Sequence, residues 1–168
     1  TLLVTTDTVT TVNPHVYKKM GFDAARDLAP VVLLTGFSQT LVCNPAVQAK
    51  TAAELVALAK KQPLNYASGG AGVPGHLAME LFLAAAGIDM HHISYKGPAP
   101  AMQDVLAGQV HCGFLATPTV LPQVRANKLT ALAISSTKRS PLAPQVPTVA
   151  ELGYKDYDAT FYLVLMAP

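Results

Sequence analysis

From residue 64 onward the chain alternates short apolar runs with helical patterns, and no other feature restricts its fold as tightly. Runs at 64–68, 91–95, 110–115 and 129–135 are separated by helical patterns at 74–86, 99–107 and 118–126. Strands alternating with helices of this length specify βαβ units. Right-handed crossovers then place helices on both faces of a parallel sheet. The punctuation agrees with this reading. Pro74, Pro98 and Pro118 stand where first helical turns begin, the position proline tolerates best. Gly87, Gly108 and Asn127 stand where helices should stop. Thr51 with Glu54 forms a capping-box pattern ahead of a helix at 52–61, and Thr148 with Glu151 does so ahead of a short helix ending near Gly153.

Residues 1–50 read differently. A strand at 2–6 precedes a polar loop and a short helix around Pro14 to Met20, and a strand at 31–36 runs through Phe37 and Ser38 into another at 40–43. Residues 138–147 form a proline-rich connector, and the final run at 160–167 is too apolar for a sheet edge facing water. The opening TLLVTTD and the closing FYLVLMAP both read as strands cut from a longer protein.

Hydrophobic residues make up 51% of the chain and charged residues 13%, enough apolar mass for a core and for a surface that expects a partner. The twelve basic residues are scattered and the net charge is only +2, so there is no nucleic-acid footprint, which needs a clustered basic face. No apolar run approaches the ~18 to 20 residues needed to cross a bilayer as a helix, and no basic segment followed by an apolar one marks a secretory leader at the start. Cys43 and Cys112 lie far apart, each inside an apolar run. That pattern predicts two buried free thiols, with a disulfide as the alternative, and leaves the redox compartment open.

The stretch LNYASGGAGVPGHLAMELFLAAAG at 64–87 carries the functional signal. A strand ending at Ser68 enters a loop with Gly69, Gly70, Gly72 and Gly75, and a helix follows. Glycines let the backbone approach a ligand and adopt positive φ. The first helical turn offers unpaired N–H groups and the positive end of its dipole, a cradle for a small anion that needs no charged side chain. The plainer reading is a tight connection that binds nothing, but four glycines in seven residues exceed what a turn requires. No GK[ST] follows, so the loop is not a Walker A motif, and no acidic residue ends a strand ~20 residues on, as a dinucleotide fingerprint would need. His76, in the first turn of the helix, either donates to a bound carboxylate or satisfies a loop carbonyl. Adjacent residues on a strand face opposite ways, so His91 and His92 cannot share a metal ion. Ser68 has no nucleophile elbow and no recognisable triad partners, so no catalytic residue, metal or cofactor is expected. The other strand-to-helix loops at the same end, 96–98 and 116–118, add hydroxyls such as Thr117 and one cation, Lys96, which is read as solvated. Tyr95, Phe37 and Phe161 either line a pocket or fill core.

At these residues the chain resembles a known family, the substrate-binding receptors of tripartite tricarboxylate transporters, also called Bug-type periplasmic receptors. The likeness runs through NPHVYKKMGFDAARDLAPV at 13–31, LNYASGGAGVPGHLAMELF at 64–82, ISYKGPAPAMQDVLAGQV at 93–110, LPQVRANKLTALAISSTKRSPLAPQVPTVAELGY at 121–154 and LMAP at 165–168. The resemblance implies an α/β, type II periplasmic-binding-protein-like fold of two lobes joined by crossing strands, with the solute clamped between them. It implies 38–157 as a nearly complete second lobe, 1–37 as part of the first, and 158–168 as a strand returning to it. It also implies a small organic acid as ligand (a dicarboxylate, an amino acid or an aromatic carboxylate), membrane permease subunits as partners, and a periplasmic location. By motif position Ser68, Gly70, Gly72, Val73 and His76 fall in the ligand loop of the second lobe. Thr6 and Thr8 fall in a ligand loop of the first, Ser38 near the crossover, Tyr95 and Thr117 in the neighbouring loops. Three positions depart from the family pattern: Val73 replaces a Thr or Ser, Leu115 an Asp, and Tyr162 a Trp. An incomplete first lobe would expose apolar strands, which predicts self-association, and leaves as alternatives a non-binding or sensory fragment or an α/β enzyme for an anionic substrate.

Overall fold

The structure is a computed structural model and describes residues 2–168. In chain order its elements are β1 (Leu3–Thr6), α1 (Thr8–Thr11), α2 (Asn13–Val16), β2 (Ala29–Phe37), β3 (Gln39–Cys43), α3 (Ala52–Ala59), β4 (Asn65–Ser68), α4 (Pro74–Ala86), β5 (His91–Ser94), α5 (Pro98–Leu106), β6 (Cys112–Ala116), α6 (Thr117–Arg125), β7 (Thr130–Ile134) and β8 (Phe161–Ala167), with a 3-10 turn at Ala150–Leu152. The short helix expected around residues 14–20 is instead two single turns, α1 and α2, that stop before Tyr17.

Local signals account for most boundaries. Pro74 opens α4, and Gly87 closes it in the left-handed conformation while Ile88 N–H donates to Leu83 C=O at 3.1 Å. Ahead of α3, Glu54 N–H donates to Thr51 Oγ1, but the Glu54 carboxylate reaches back one residue further than a capping box predicts, to Lys50 N–H at 2.7 Å. Thr148 and Glu151 exchange both bonds of a true capping box, yet lead only into the 3-10 turn.

Two sheets result. One is a three-stranded antiparallel sheet in the order β1-β8-β2. The other has five strands in the order β5-β4-β6-β3-β7. In it β4 runs parallel to β5 and β6, whereas β3 runs antiparallel to both β6 and β7. The expected parallel sheet therefore carries one reversed strand in its middle. The reason is the route of the chain: β2 leaves the three-stranded sheet and passes through Ser38 straight into β3, so β3 enters at the end where the other strands finish. The apolar final strand β8 is central in its sheet, as its composition requires.

Helices cover both faces of the larger sheet. Consecutive strand residues divide between the two sides. Leu41, Tyr66 and Phe114 join one core with Leu55, Met79 and Phe82, while Val42, Ala67 and Leu115 join the other with Val105 and Val120. Burial on both sides explains why these strands read as continuous apolar runs rather than alternating ones.

The cysteines correct the sequence reading. Cys43 and Cys112 are directly opposed on β3 and β6 and form a disulfide. Asn44 N–H donates to His111 C=O in the adjacent pair, so the cysteines occupy a non-hydrogen-bonded position, where opposite Cα atoms come closest; here they are 4.0 Å apart. Sequence patterning places each thiol in a buried strand but cannot say that the two strands are neighbours.

Candidate functional site

The strand order puts the end of β4, the end of β6 and the start of β3 side by side at one end of the larger sheet. Ligands of open α/β sheets sit outside such strand ends. Between β4 and α4 the backbone adopts φ of +145° at Gly70 and +75° at Gly72, a region that side chains rarely enter. Gly75, one turn on, is close-packed: a Cβ there would overlap the Phe114 carbonyl oxygen of β6.

Ser68 braces this loop. It is fully buried, its hydroxyl donates to Gly70 C=O at 2.9 Å, and it accepts Gly70 N–H at 3.2 Å. His92 Nε2 lies 2.6 Å from the same oxygen. Since the serine proton is directed to Gly70, the imidazole is the donor in that contact, which fixes its tautomer. His76 Nδ1 accepts Gly72 N–H at 3.3 Å. The two imidazole centroids lie 4.3 Å apart with their planes tilted by 36°, and His92 stacks on Tyr66 at 4.8 Å. Tyr66 donates its hydroxyl to Glu80, whose carboxylate lies 3.9 Å from His76 Nε2. Burial, and then the neighbouring His76, push the His92 pKa down. Burial, and then Glu80, push the Tyr66 phenol up.

Two of the glycine N–H groups thus have internal partners. The open donors are one step further along. Val73, the N-cap of α4, has no side-chain acceptor, and among the described residues the N–H groups of Gly75 and His76 in the first turn have no partner. They are donors of the kind that a helix start leaves free.

A second cluster adjoins the first. Thr117, buried at the start of α6, donates its hydroxyl to Ser38 C=O at 3.0 Å, and its oxygen accepts from Thr40 at 2.9 Å. Ser38 Oγ lies 3.2 Å from Thr117 Oγ1. These hydroxyls tie the crossover to β6. Beside them opens a cleft of about 400 Å³ lined by Ser38, Thr117, Ser136, Lys138, Ser140 and Thr160. The proline-rich connector therefore supplies a wall of this cleft.

The remaining predicted residues lie as follows. Thr6, the last residue of β1, and Thr8, the first of α1, share a hydroxyl–hydroxyl contact of 2.7 Å, and Thr8 is buried. Tyr95 points its hydroxyl at Asp104 of α5, 2.5 Å away, and its pKa is pushed up to about 12 by burial and then by that carboxylate. Residues of the smaller sheet's side do reach the glycine loop. Tyr17 donates to Ala71 C=O at 2.9 Å, and Asn13 and Val16 lie opposite Gly72. Tyr17, Tyr66 and Glu80 escaped sequence reasoning, which weighed His92 only as a metal ligand. Glu80 could have been found as the i+4 neighbour of His76, whereas the others depend on pairings that only the fold reveals. Among the described residues no group of three or more His, Cys, Asp or Glu is placed to hold a metal ion, and no helix is long and apolar enough to cross a membrane.

Comparison with known proteins bears on this geometry. Residues 1–168 match the model of the tripartite tricarboxylate transporter family receptor. The chain is 37% identical over 149 residues to Protein BugT of Bordetella pertussis, a match covering 88% of this chain and 46% of BugT. Among solved structures, that of R. palustris Rpa4515 with adipate superposes with a TM-score of 0.94 at 30% identity, covering 99% of this chain and 56% of the other. The periplasmic binding protein BugD gives 0.93 at 30% identity, again covering 99% of this chain and 56% of the other. The chain thus spans about half the length of the relatives it matches.

Proposed function

The chain belongs to the tripartite tricarboxylate transporter receptor family, and from that premise we propose that residues 69–76 capture one carboxylate of a small organic acid for delivery to the membrane permease of such a transporter. The observation that carries the reading is the pair of unpartnered N–H groups at Gly75 and His76, set at the start of a thirteen-residue helix where the positive dipole end faces the strand mouth. A site made of main-chain donors and hydroxyls binds without transforming. The similar R. palustris protein was solved with adipate, which favours a dicarboxylate. Lys138, which makes no ion pair among the described residues, lines the adjoining cleft and suits a second negative group.

The reading assigns residues 1–37 and 158–168 to a first lobe and 38–157 to a second, with closure about the crossover at Ser38. A periplasmic location follows from the family, and a buried disulfide suits an oxidising compartment. Calorimetry on the chain with mono- and dicarboxylates, adipate among them, tests the reading. Micromolar binding that disappears in Gly70→Val, where φ of +145° excludes a β-branched side chain, is the expected outcome; silence across the panel sinks it.

One contact favours a hydrolytic alternative: Ser68 and His92 have the separation of a nucleophile and its base. The arrangement argues against it. Ser68 is fully buried and its proton is already directed to Gly70 C=O, so no substrate can meet the oxygen.

We also propose that the isolated chain associates with a second copy through its smaller sheet. Both outer strands, β1 and β2, have an unpaired edge, and Val31 and Leu33 on β2 are 56% and 57% exposed. Such edges template pairing. Light scattering should show a concentration-dependent dimer that Val31→Lys with Leu33→Lys shifts to monomer; a monomer at every concentration refutes it.

A further inference from the structure

Three aromatic or acidic side chains stand around His76, and no binding role yet accounts for them. Glu80, one turn along α4, faces its Nε2 at 3.9 Å. His92, from β5, lies against its ring at 4.3 Å with the planes tilted by 36°. Tyr66, from β4, lies 6.5 Å from it, with the phenol bonded to Glu80. His91 is the next imidazole on β5 and faces the opposite way, while Asn13 and Tyr17, both uncharged, reach the glycine loop itself, at Gly72 and at Ala71 C=O.

We infer that His76 is a proton-operated latch on the glycine loop, so that capture of an anion at residues 72–76 takes up one proton from solvent. The inference rests on the carboxylate reading of this site. In the neutral ring Nδ1 holds the Gly72 N–H, and the ring's own proton sits on Nε2, toward Glu80. A proton arriving at Nδ1 cannot share that position with an N–H donor. The Gly72 N–H is released, and the ring becomes a second donor carrying positive charge. One consumed donor is thus converted into two available ones, beside the free N–H groups of Gly75 and His76 itself.

The surroundings decide which imidazole takes the proton. At 4.3 Å two charged rings repel. His92 is disfavoured by burial and by its neighbour, and its Nε2 hydrogen is committed to Ser68. His76 has the Glu80 carboxylate beside it. His92 therefore serves as a neutral spacer that holds the loop through Ser68, while His76 changes state. By linkage, an anion that favours protonated His76 binds more tightly as pH falls through the imidazole range.

The experiment has two arms, both on the full chain. In the first, amide and imidazole resonances are followed from pH 8.5 to 5 without ligand. The Gly72 amide should titrate with the His76 ring, and in His76→Gln it should be flat. A His76 ring that titrates while the Gly72 amide stays still overturns the latch. In the second, adipate is titrated calorimetrically in two buffers of different ionisation enthalpy. Proton uptake averaging about half a proton per adipate between pH 6 and pH 8, and the matching affinity about tenfold higher at pH 6 than at pH 8, are expected, with both effects absent in His76→Gln. Binding with no proton uptake overturns the coupling. Adipate giving no heat at any pH counts against the carboxylate reading, and the latch is then decided by the amide titration. Should His76→Gln fail to fold, Glu80→Gln is the second variant: without the carboxylate 3.9 Å from Nε2, the shared midpoint of the ring and the Gly72 amide should move to lower pH, and an unmoved midpoint counts against the latch.

Discussion

Replacing Cys43 and Cys112 together by alanine should lower the stability of the chain by about 4 kcal/mol, the cost expected for reopening a loop closed over a sequence separation of 69 residues. In a domain of this size that corresponds to a fall of about 10 °C in Tm. The bond joins β3, the strand arriving from the smaller sheet, to β6, whose far end carries Thr117 at the strand mouth. The unfolded chain gains most of the freedom lost to the cross-link, whereas the folded chain keeps its ladder of β3–β6 bonds, so the native architecture should survive. Chemical denaturation in the presence and absence of reductant gives the same comparison without mutation. Because both sulfurs are buried, reduction should be slow in native buffer and rapid once denaturant opens the sheet. An oxidised and a reduced protein with one midpoint, or two titratable thiols in the unreduced unfolded chain, would contradict the cross-link.

The sequence-level reading succeeded where a local rule governs the residue and stopped where the outcome depends on which strands are neighbours. Pro74, Pro98 and Pro118 mark helix starts because proline's missing N–H is harmless there, and the three helices begin at or next to them. Gly87 marks a helix end for an equally local reason. The reversal of β3 is not local. Nothing within Gln39–Cys43 encodes direction; the crossover at Ser38 does, and its meaning depends on a sheet built mostly from later residues. The disulfide shares that dependence, since it needs β3 beside β6.

The glycine loop shows the same division. Its position and its conformational demand were legible from composition alone. Its hydrogen bonding was not. Gly70 and Gly72 read as bare donors, yet Ser68 and His76 accept their N–H groups. His92 read as half of an unworkable metal pair and sits instead against Ser68, because β5 lies parallel to β4 with Tyr66 opposite His92. Adjacent-residue logic correctly separated His91 from His92, but it could not bring His92 to His76, sixteen residues away in sequence.

The site's most sensitive position is Gly75, where a single methyl should reverse the usual effect of Gly→Ala in a helix. In an exposed helix that change stabilises by about 1 kcal/mol through propensity and unfolded-state entropy. Here the new Cβ would overlap the Phe114 carbonyl oxygen. The obstacle is backbone in β6, a strand paired with β3, so no rotamer change relieves it. The start of α4 must lift away from the sheet, which loosens Ala78, Met79 and Phe82 in the core beneath it. Overpacking of this kind costs about 1–3 kcal/mol and sometimes more, and at Gly75 it also displaces the first-turn N–H groups and the His76 ring. Gly75→Ala should therefore lose about 3 kcal/mol of stability in denaturant titrations and bind adipate at least tenfold more weakly. Gly87→Ala provides the contrast. Its Cβ meets nothing within 4 Å, and the penalty comes only from φ of +61° at the far end of α4. That variant should lose about 1 kcal/mol and keep its affinity. If both variants lost affinity in proportion to stability, binding would be reporting general loosening of the lobe. If Gly75→Ala proved more stable than the parent, the close seating of α4 on β6, on which the whole cradle depends, would be wrong.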